Sequence, residues 1–466
     1  MNTFAGYRSP YGWRYGTPEM RSIWGEVHKR RVWRRIWVTL ADVQSEYGLV
    51  SEGQVEELRA HMGEVDMQRA LEIEDQIHHD LMAELRVFAE QCPQAGGILH
   101  LGATSMDVKD NATVLLTCEA LNLIQQRTRK VLLEFLKLVE QYARMPTLAF
   151  THLQPAEPTT LGYRLAGYAQ DLWMDDQDLR RLKKGLRGKG FTGAVGTSAS
   201  YMKLLGAERT EEFQDRISEK LGLPFFSVVN QVYPRRQDYQ VLTTLASIAA
   251  TVHKFAFDLR ILQSPSLGEW SEPFGEDQVG SSAMPFKRNP IHAEKMDSIA
   301  RLLAQFPRVA WDNAAFSLLE RTLDDSANRR SVLPEAFLIA DELLTVCEEV
   351  VHGLEIYRKG ISHNLDTYGP FAATEPLLME LTKKGADRQE MHERLRQHAL
   401  LAWAAVQKGE PNPLVDLILE DKVLRTFLSK DTLREVMESE GYVGDAPQRA
   451  MNLVSQVRSE LNEKKM

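Results

Sequence analysis

The sequence predicts an all-α protein built around a bundle of long helices. Proline is absent between Pro18 and Pro93, between Pro93 and Pro146, from Pro158 to Pro224 and from Pro234 to Pro265. Those windows are rich in Leu, Ala, Glu, Gln, Arg and Lys, which lose little on entering a helix. Strand-like alternation is almost absent, with weak candidates only near Phe225–Val229.

Thr17-Pro18-Glu19 opens the first helix, with a capping hydroxyl, a proline at the first helical position and an acid in the first turn. Gly48 is placed to stop it. Within it, His28-Lys29-Arg30-Arg31 and Arg34-Arg35 surround Trp33, Ile36, Trp37 and Leu40 at helical spacing, so the cations read as the wet face of an amphipathic helix. A second helix is expected from Asn111 to about Arg144, with Val114, Leu121, Val131 and Leu138 on its apolar stripe. At 1.5 Å per residue it is about 50 Å long, so its partners must be equally long. Further helices are expected at about 158–186, 236–263, 290–320 and 331–358, the third broken at Pro307. The segment His363–Pro370 interrupts the periodicity and reads as a boundary. The expected division is 1–110, 111–362 and 363–466, the last a small helical domain ending in the charged tail Glu463-Lys464-Lys465.

With 466 residues, 43% of them hydrophobic and 26% charged, the chain can bury a large core as an ordinary soluble protein. A formal charge of -9 argues against a general nucleic-acid binder. Three cysteines without CxxC spacing fit a reducing compartment, and no apolar leader or spanning stretch is present, so no membrane association is expected. HExxH, a carboxylate triad, a dinucleotide fingerprint and a P-loop are all missing. The expected chemistry uses side chains alone, with neither metal nor cofactor.

Five segments carry polar groups that a bundle core would not choose. Gly280-Ser281-Ser282-Ala283-Met284-Pro285-Phe286-Lys287-Arg288-Asn289-Pro290 reads as a loop, because its glycine and two prolines exclude a helix. It can carry a hydroxyl and positive charge onto a bound anion. His78-His79-Asp80 is either an exposed histidine pair or an imidazole oriented by a carboxylate. Thr104 and Ser105 in Gly102–Asp107 are helix caps or carboxylate ligands. His152 in Phe150-Thr151-His152-Leu153-Gln154-Pro155 is a structural histidine or a proton donor. Arg321–Arg330 holds three arginines and Ser326, which either grip a phosphate or pair with Asp324 and Asp325 at a helix end. Gln231 is too isolated to assign from its surroundings.

The loop GSSAMPFKRNP resembles the signature loop of the fumarase/aspartase superfamily of lyases. Together with RYGTPEM from Arg14, His79-Asp80, LGATS, THLQPA and RTLDDSANRR, in that order, the chain is similar to the adenylosuccinate lyase family within it. The resemblance covers about residues 8–360. It implies a three-domain α fold, a cytoplasmic homotetramer with active sites shared among subunits, and no cofactor. The implied reaction is β-elimination of fumarate from adenylosuccinate, giving AMP, and from succinyl-aminoimidazole carboxamide ribotide in purine biosynthesis. It makes Ser281 the general base, His152 the general acid, and Lys287 with Asn289 the stabilisers of the carbanion's carboxylate. Thr104, Ser105, Thr151 and Gln231 would hold the succinyl carboxylates. Arg14, Tyr15, Arg321, Ser326 and Arg330 would take the phosphate, and His79 with Asp80 would support substrate binding and proton placement. Phe286 and Lys295 depart from residues frequent in that family. The alternatives are a superfamily lyase or cycloisomerase acting on another succinyl substrate, which needs no phosphate grip, and a helical scaffold without activity.

Overall fold

The longest helices are Glu26–Glu46, Ser105–Tyr142, Leu161–Gly185, Arg236–Leu262 and Asp324–His352, the second of them 38 residues long. They appear in a computed structural model that describes residues 5–462; the charged tail Glu463–Lys465 lies outside them. At 1.5 Å per residue the 38-residue helix spans about 57 Å, as a long bundle requires. The all-α expectation is met, with four short strands in addition among the described residues.

The chain forms two compact units. The first comprises residues up to Thr128, Asp175–Ala250 and Ser298–Thr345; the second comprises Arg129–Met174, Thr251–Asp297 and the chain from Val346.

In the first unit, Pro18–Ile23 opens on the Thr17 cap, whose hydroxyl accepts from Met20 N–H at 3.4 Å. Gly25 then interrupts the expected first helix before Glu26–Glu46. Ile36, Trp37, Leu40 and Val43 of that helix are buried. The wet-face reading of its basic run holds for Arg31 and Arg35 and fails for Arg30 and Arg34, which are buried. Both turn inward onto Glu84, Arg30 at 3.0 Å and Arg34 at 2.6 Å, and Arg34 also reaches the carbonyls of His61 and Glu64. A guanidinium can be buried when a carboxylate and carbonyls satisfy its N–H groups. The long central helix starts at Ser105, six residues before the expected start. Its first turn is closed by Asp107, whose carboxylate accepts the Thr104 N–H at 2.9 Å. Asp324–His352 likewise starts seven residues early, so most of the Arg321–Arg330 cluster is helical, with Asp324 and Asp325 in the first turn where the dipole favours acids.

The second unit holds the chain's hairpin, β1 (Pro146–Thr151) and β2 (Gln154–Thr160), which pair antiparallel with Thr151 opposite Gln154. Sequence reading expected no strand here, because three prolines in this stretch argue against a ladder. A two-stranded hairpin has outward-facing edges where a missing N–H is tolerated. β3 (Trp270–Ser271) pairs with β4 (Glu355–Ile356). The expected break at Pro307 occurs between Ile291–Leu303 and Phe306–Ala315.

His363–Pro370 is helical, inside Arg358–Ala372, and not a break. Asn364 misled the periodicity. It is a polar residue on the buried face, donating to Leu267 O and Glu269 Oε1 at 3.0 Å each. The helices after it pack around Leu377, Leu381, Leu395, Ile418 and Leu433.

Candidate active site

In the first unit a cavity of about 600 Å³ opens among helix starts. Its wall includes His78, His79, Asp80, Thr104, Ser105, Lys109, Gln231, Arg321, Ser326, Arg329 and Arg330, with Trp24 and Trp33 as apolar surface. Segments more than two hundred residues apart in sequence therefore meet there.

Two helix starts face each other in this wall. His79 caps Asp80–Gln91: its Nδ1 accepts the Met82 N–H at 3.3 Å. That bond leaves the ring proton on Nε2, which lies 3.4 Å from Ser105 Oγ. The His79 Nδ1 to Asp80 distance, 3.8 Å, is too long for a hydrogen bond, so the capping bond governs the tautomer. Before it, His78 closes the preceding helix in the left-handed region at φ 53°. Asp80 accepts from Lys109 Nζ at 2.9 and 2.8 Å, from Arg330 at 3.0 Å and from Leu81 N–H at 2.7 Å. Burial pushes its pKa up, but the Lys109 charge and hydrogen bond, the Leu81 N–H and Arg330 outweigh it and hold the carboxyl at about 2. Lys109 is pushed down by burial against the pull of Asp80.

The arginine cluster divides. Arg329 is partly buried in a network, donating to Asp238 and to the Tyr233 hydroxyl at 2.8 Å each. Arg235 joins Asp325 at 2.7 Å to Asp110 at 3.0 Å in the same network. Arg321 donates to Asp325 at 2.9 Å, and Arg330 is the most exposed of the three, at 56% of its side chain. Ser326 sits in the first turn of Asp324–His352, at the positive end of the helix dipole, with its N–H on Leu323 O at 3.0 Å. Three arginines and a helix start thus border the cavity, and of the three Arg329 has its guanidinium engaged by Asp238 and Tyr233.

Gln231 is anchored through its side-chain amide to Ala194 O at 3.0 Å and through its N–H to Glu320 O at 3.2 Å, beside Arg321. Arg14 and Tyr15 are not in the cavity wall. Their segment is tied to Asp324–His352 by Thr17 N–H on Asp341 at 2.6 Å and Gly16 N–H on Glu342 at 2.8 Å, with the Arg14 guanidinium 5.9 Å from the Tyr15 ring.

The remaining residues belong to the second unit. Thr151 ends β1, and His152 and Leu153 form the two-residue turn of the hairpin, at φ 54° and 59°. Two left-handed residues are what a type I′ turn demands, usually of Asn and Gly. Leucine there is strained, and such strain concentrates at functional positions. In the signature loop, Ser281 Oγ accepts the N–H groups of Ala283 at 3.3 Å and Met284 at 3.0 Å. Asn289 closes the loop with a 2.9 Å bond to Gly280 O, and Gly280 passes so close to the Lys287 carbonyl that a Cβ would sit 2.1 Å from it. Buried Glu272 accepts the N–H groups of His292 and Ala293 at 3.1 and 2.9 Å, pinning the loop to the start of the next helix. Burial pushes this carboxyl up, against the backbone donors. Lys287 and Phe286 are exposed, and the Arg288 guanidinium lies 4.9 Å from the Phe274 ring centroid.

Sequence reading missed Lys109 and the buried partners of Arg329. Lys109 was legible in principle. With the helix started at Ser105, it falls one turn on, on the same face.

Residues 39–303 match the family model described as lyase, and residues 370–452 match that of the adenylosuccinate lyase C-terminus. The chain is 40% identical to an adenylosuccinate lyase of Schistosoma mansoni over 90% of this chain and 89% of that one. It is 37% identical to an adenylosuccinate lyase of Saccharomyces cerevisiae over 97% and 95%. Among solved structures it resembles a 3-carboxy-cis,cis-muconate lactonizing enzyme from Pseudomonas putida, with TM-score 0.85, 23% identity and coverage of 96% and 98%; this likeness speaks to the fold alone.

Proposed function

The chain belongs to the adenylosuccinate lyase family, and from that premise we propose how its residues divide the work. The reaction is the release of fumarate from adenylosuccinate and from succinyl-aminoimidazole carboxamide ribotide, by breaking a carbon–nitrogen bond. The single observation that supports the substrate-binding assignment is the cavity where Arg321, Arg330 and Ser326 stand in one wall with His79, Thr104 and Ser105. A phosphate and a dicarboxylate are the ligands those groups suit.

Ser281, as the alkoxide, takes the β-proton of the succinyl group. Its oxygen already receives two backbone N–H bonds, and hydrogen bonds to the charged form lower a pKa. The carbanion's charge spreads into the adjacent carboxylate, which Lys287 and Asn289 stabilise. The carbon–nitrogen bond then breaks, His152 protonates the leaving nitrogen, and fumarate departs. Thr104, Ser105, Thr151 and Gln231 hold the carboxylates. Arg14, Tyr15, Arg321, Ser326 and Arg330 hold the phosphate, and His79 and Asp80 orient the substrate. No cofactor or metal enters this scheme. The active unit is a cytoplasmic homotetramer of three-domain subunits, with each site assembled from several of them.

The deciding experiment is a spectrophotometric assay with adenylosuccinate that follows fumarate and AMP. Turnover is expected; a folded protein that leaves adenylosuccinate intact would move the assignment to a different succinyl substrate. Ser281→Ala should assemble normally and lose at least about 10²-fold in kcat, the usual worth of a positioned base. Near-normal turnover in that variant would remove Ser281 from the role.

A further inference from the structure

Lys109 lies one turn beyond Ser105 on the same helix face. The two meet consecutive residues of another helix start: Ser105 Oγ lies 3.4 Å from His79 Nε2, and Lys109 Nζ lies 2.9 and 2.8 Å from the two oxygens of Asp80. Arg330, from a third element, reaches the same carboxylate at 3.0 Å. One carboxylate thus holds two cations, and they are not equivalent. Lys109 is 23% exposed and bonds both oxygens, whereas Arg330 is 56% exposed and bonds one. A guanidinium fork matches a phosphate, while an ammonium serves as a compact point charge.

We infer that Lys109 is a positioning residue for phosphate binding: it holds Asp80 so that Arg330 can leave that carboxylate and clamp the phosphate of a nucleotide substrate. The inference rests on the reading of Arg330 as a phosphate ligand. When Arg330 swings away, Asp80 keeps both Lys109 bonds and the Leu81 N–H at 2.7 Å, so no buried charge is left unpaired. Without Lys109, the same movement strands a carboxylate that is only 11% exposed, beside an incoming phosphate of like charge. Phosphate then competes with Asp80 for Arg330. Binding weakens, while the elimination at the succinyl end of the substrate proceeds as before.

The test compares wild type, Lys109→Met, Lys109→Arg, Arg330→Ala, Asp80→Asn and Lys109→Met/Asp80→Asn. The readouts are kcat and KM for adenylosuccinate and inhibition by AMP and by adenosine, which lacks the phosphate. Lys109→Met should raise KM and the AMP inhibition constant about 10- to 50-fold, the worth of a hydrogen bond to a charged group. Its kcat should stay within about threefold, adenosine inhibition within about twofold, and Lys109→Arg should recover most of the loss. In the Asp80→Asn background, removing Lys109 should cost less than about threefold, because no carboxylate remains to compete. An unchanged KM in Lys109→Met, or equal weakening of AMP and adenosine, overturns the inference. Should Lys109→Met fail to fold, the two Asp80→Asn variants decide it, since a further loss of about tenfold there also overturns it. Arg330→Ala separates the two readings. A raised KM there with a neutral Lys109→Met sinks the inference alone, whereas an unchanged KM in Arg330→Ala sinks the phosphate assignment itself.

Discussion

Arg329 and Arg330 are adjacent in sequence, yet they face opposite physical problems. Arg329 is partly buried, and its guanidinium is held by the buried Asp238 and Tyr233. Removing it would leave Asp238 buried with a partner missing, which costs about 3–5 kcal/mol in comparable pairs. Arg329→Met is therefore expected to lower stability by about that much in urea unfolding. Arg330→Ala should leave stability within about 0.5 kcal/mol, as exposed substitutions do. It should instead raise KM, and a reversed pattern would show the two roles to be exchanged. Spacing alone cannot separate these neighbours. Helix geometry turns successive side chains by 100°, and only the facing element decides which guanidinium is enclosed in a network and which stays exposed with a single acid partner.

The signature loop and the hairpin turn show how an element presents a reactive group. The loop is tied at its base by Glu272 and closed by Asn289 on Gly280, so Ser281 sits in a short, internally bonded turn. Gly280→Ala would push a methyl group to 2.1 Å from the Lys287 carbonyl and force the closure open. Because the loop is largely exposed, the expected result is a drop in kcat of about tenfold or more with little change in Tm. A large loss of Tm with activity kept would contradict that account. In the hairpin, Leu153 takes a backbone conformation that suits Asn or Gly. Leu153→Asn should raise stability by up to about 1 kcal/mol, read from the thermal midpoint, by relieving that strain. A fall in Tm would mean the leucine side chain contributes more than its backbone strain removes.

For the molecule as a whole, the acid limb of stability follows from its held carboxylates. Asp421 accepts from His398 at 2.7 Å, Arg394 at 3.1 Å and the N–H groups of Val423 and Leu424 at 2.8 and 3.1 Å. Burial pushes its pKa up, but these partners prevail and hold it at about 2, as they do for Asp80. A carboxyl lowered on folding adds stability that is full above its unfolded pKa, about 3.9, and is lost as pH falls toward 2. Asp107 and Glu272, raised by burial, act with the opposite sign, so their contribution fades as pH rises. Asp421→Asn is expected to lower Tm at pH 7 by a few degrees and to flatten its fall between about pH 4 and pH 2. An unchanged acid slope would place the effect elsewhere.

Composition and proline spacing by themselves determined the helical class, the long bundle helices and the break at Pro307, because these rest on local propensity and period. The loop carrying Ser281 was equally legible, since Gly280, Pro285 and Pro290 exclude a helix on local grounds. The family could be read from ordered motifs. The helix starts at Ser105 and Asp324 came out six and seven residues late, because polar first turns look like loops until their caps and dipole partners are in place. The hairpin at Pro146–Thr160, the burial of Arg30 and Arg34 and the pairing of Arg329 were decided only by tertiary structure. Each depends on a partner supplied from elsewhere in the chain, a neighbouring strand in one case and a buried acid in the others, and no local pattern records where that partner will stand.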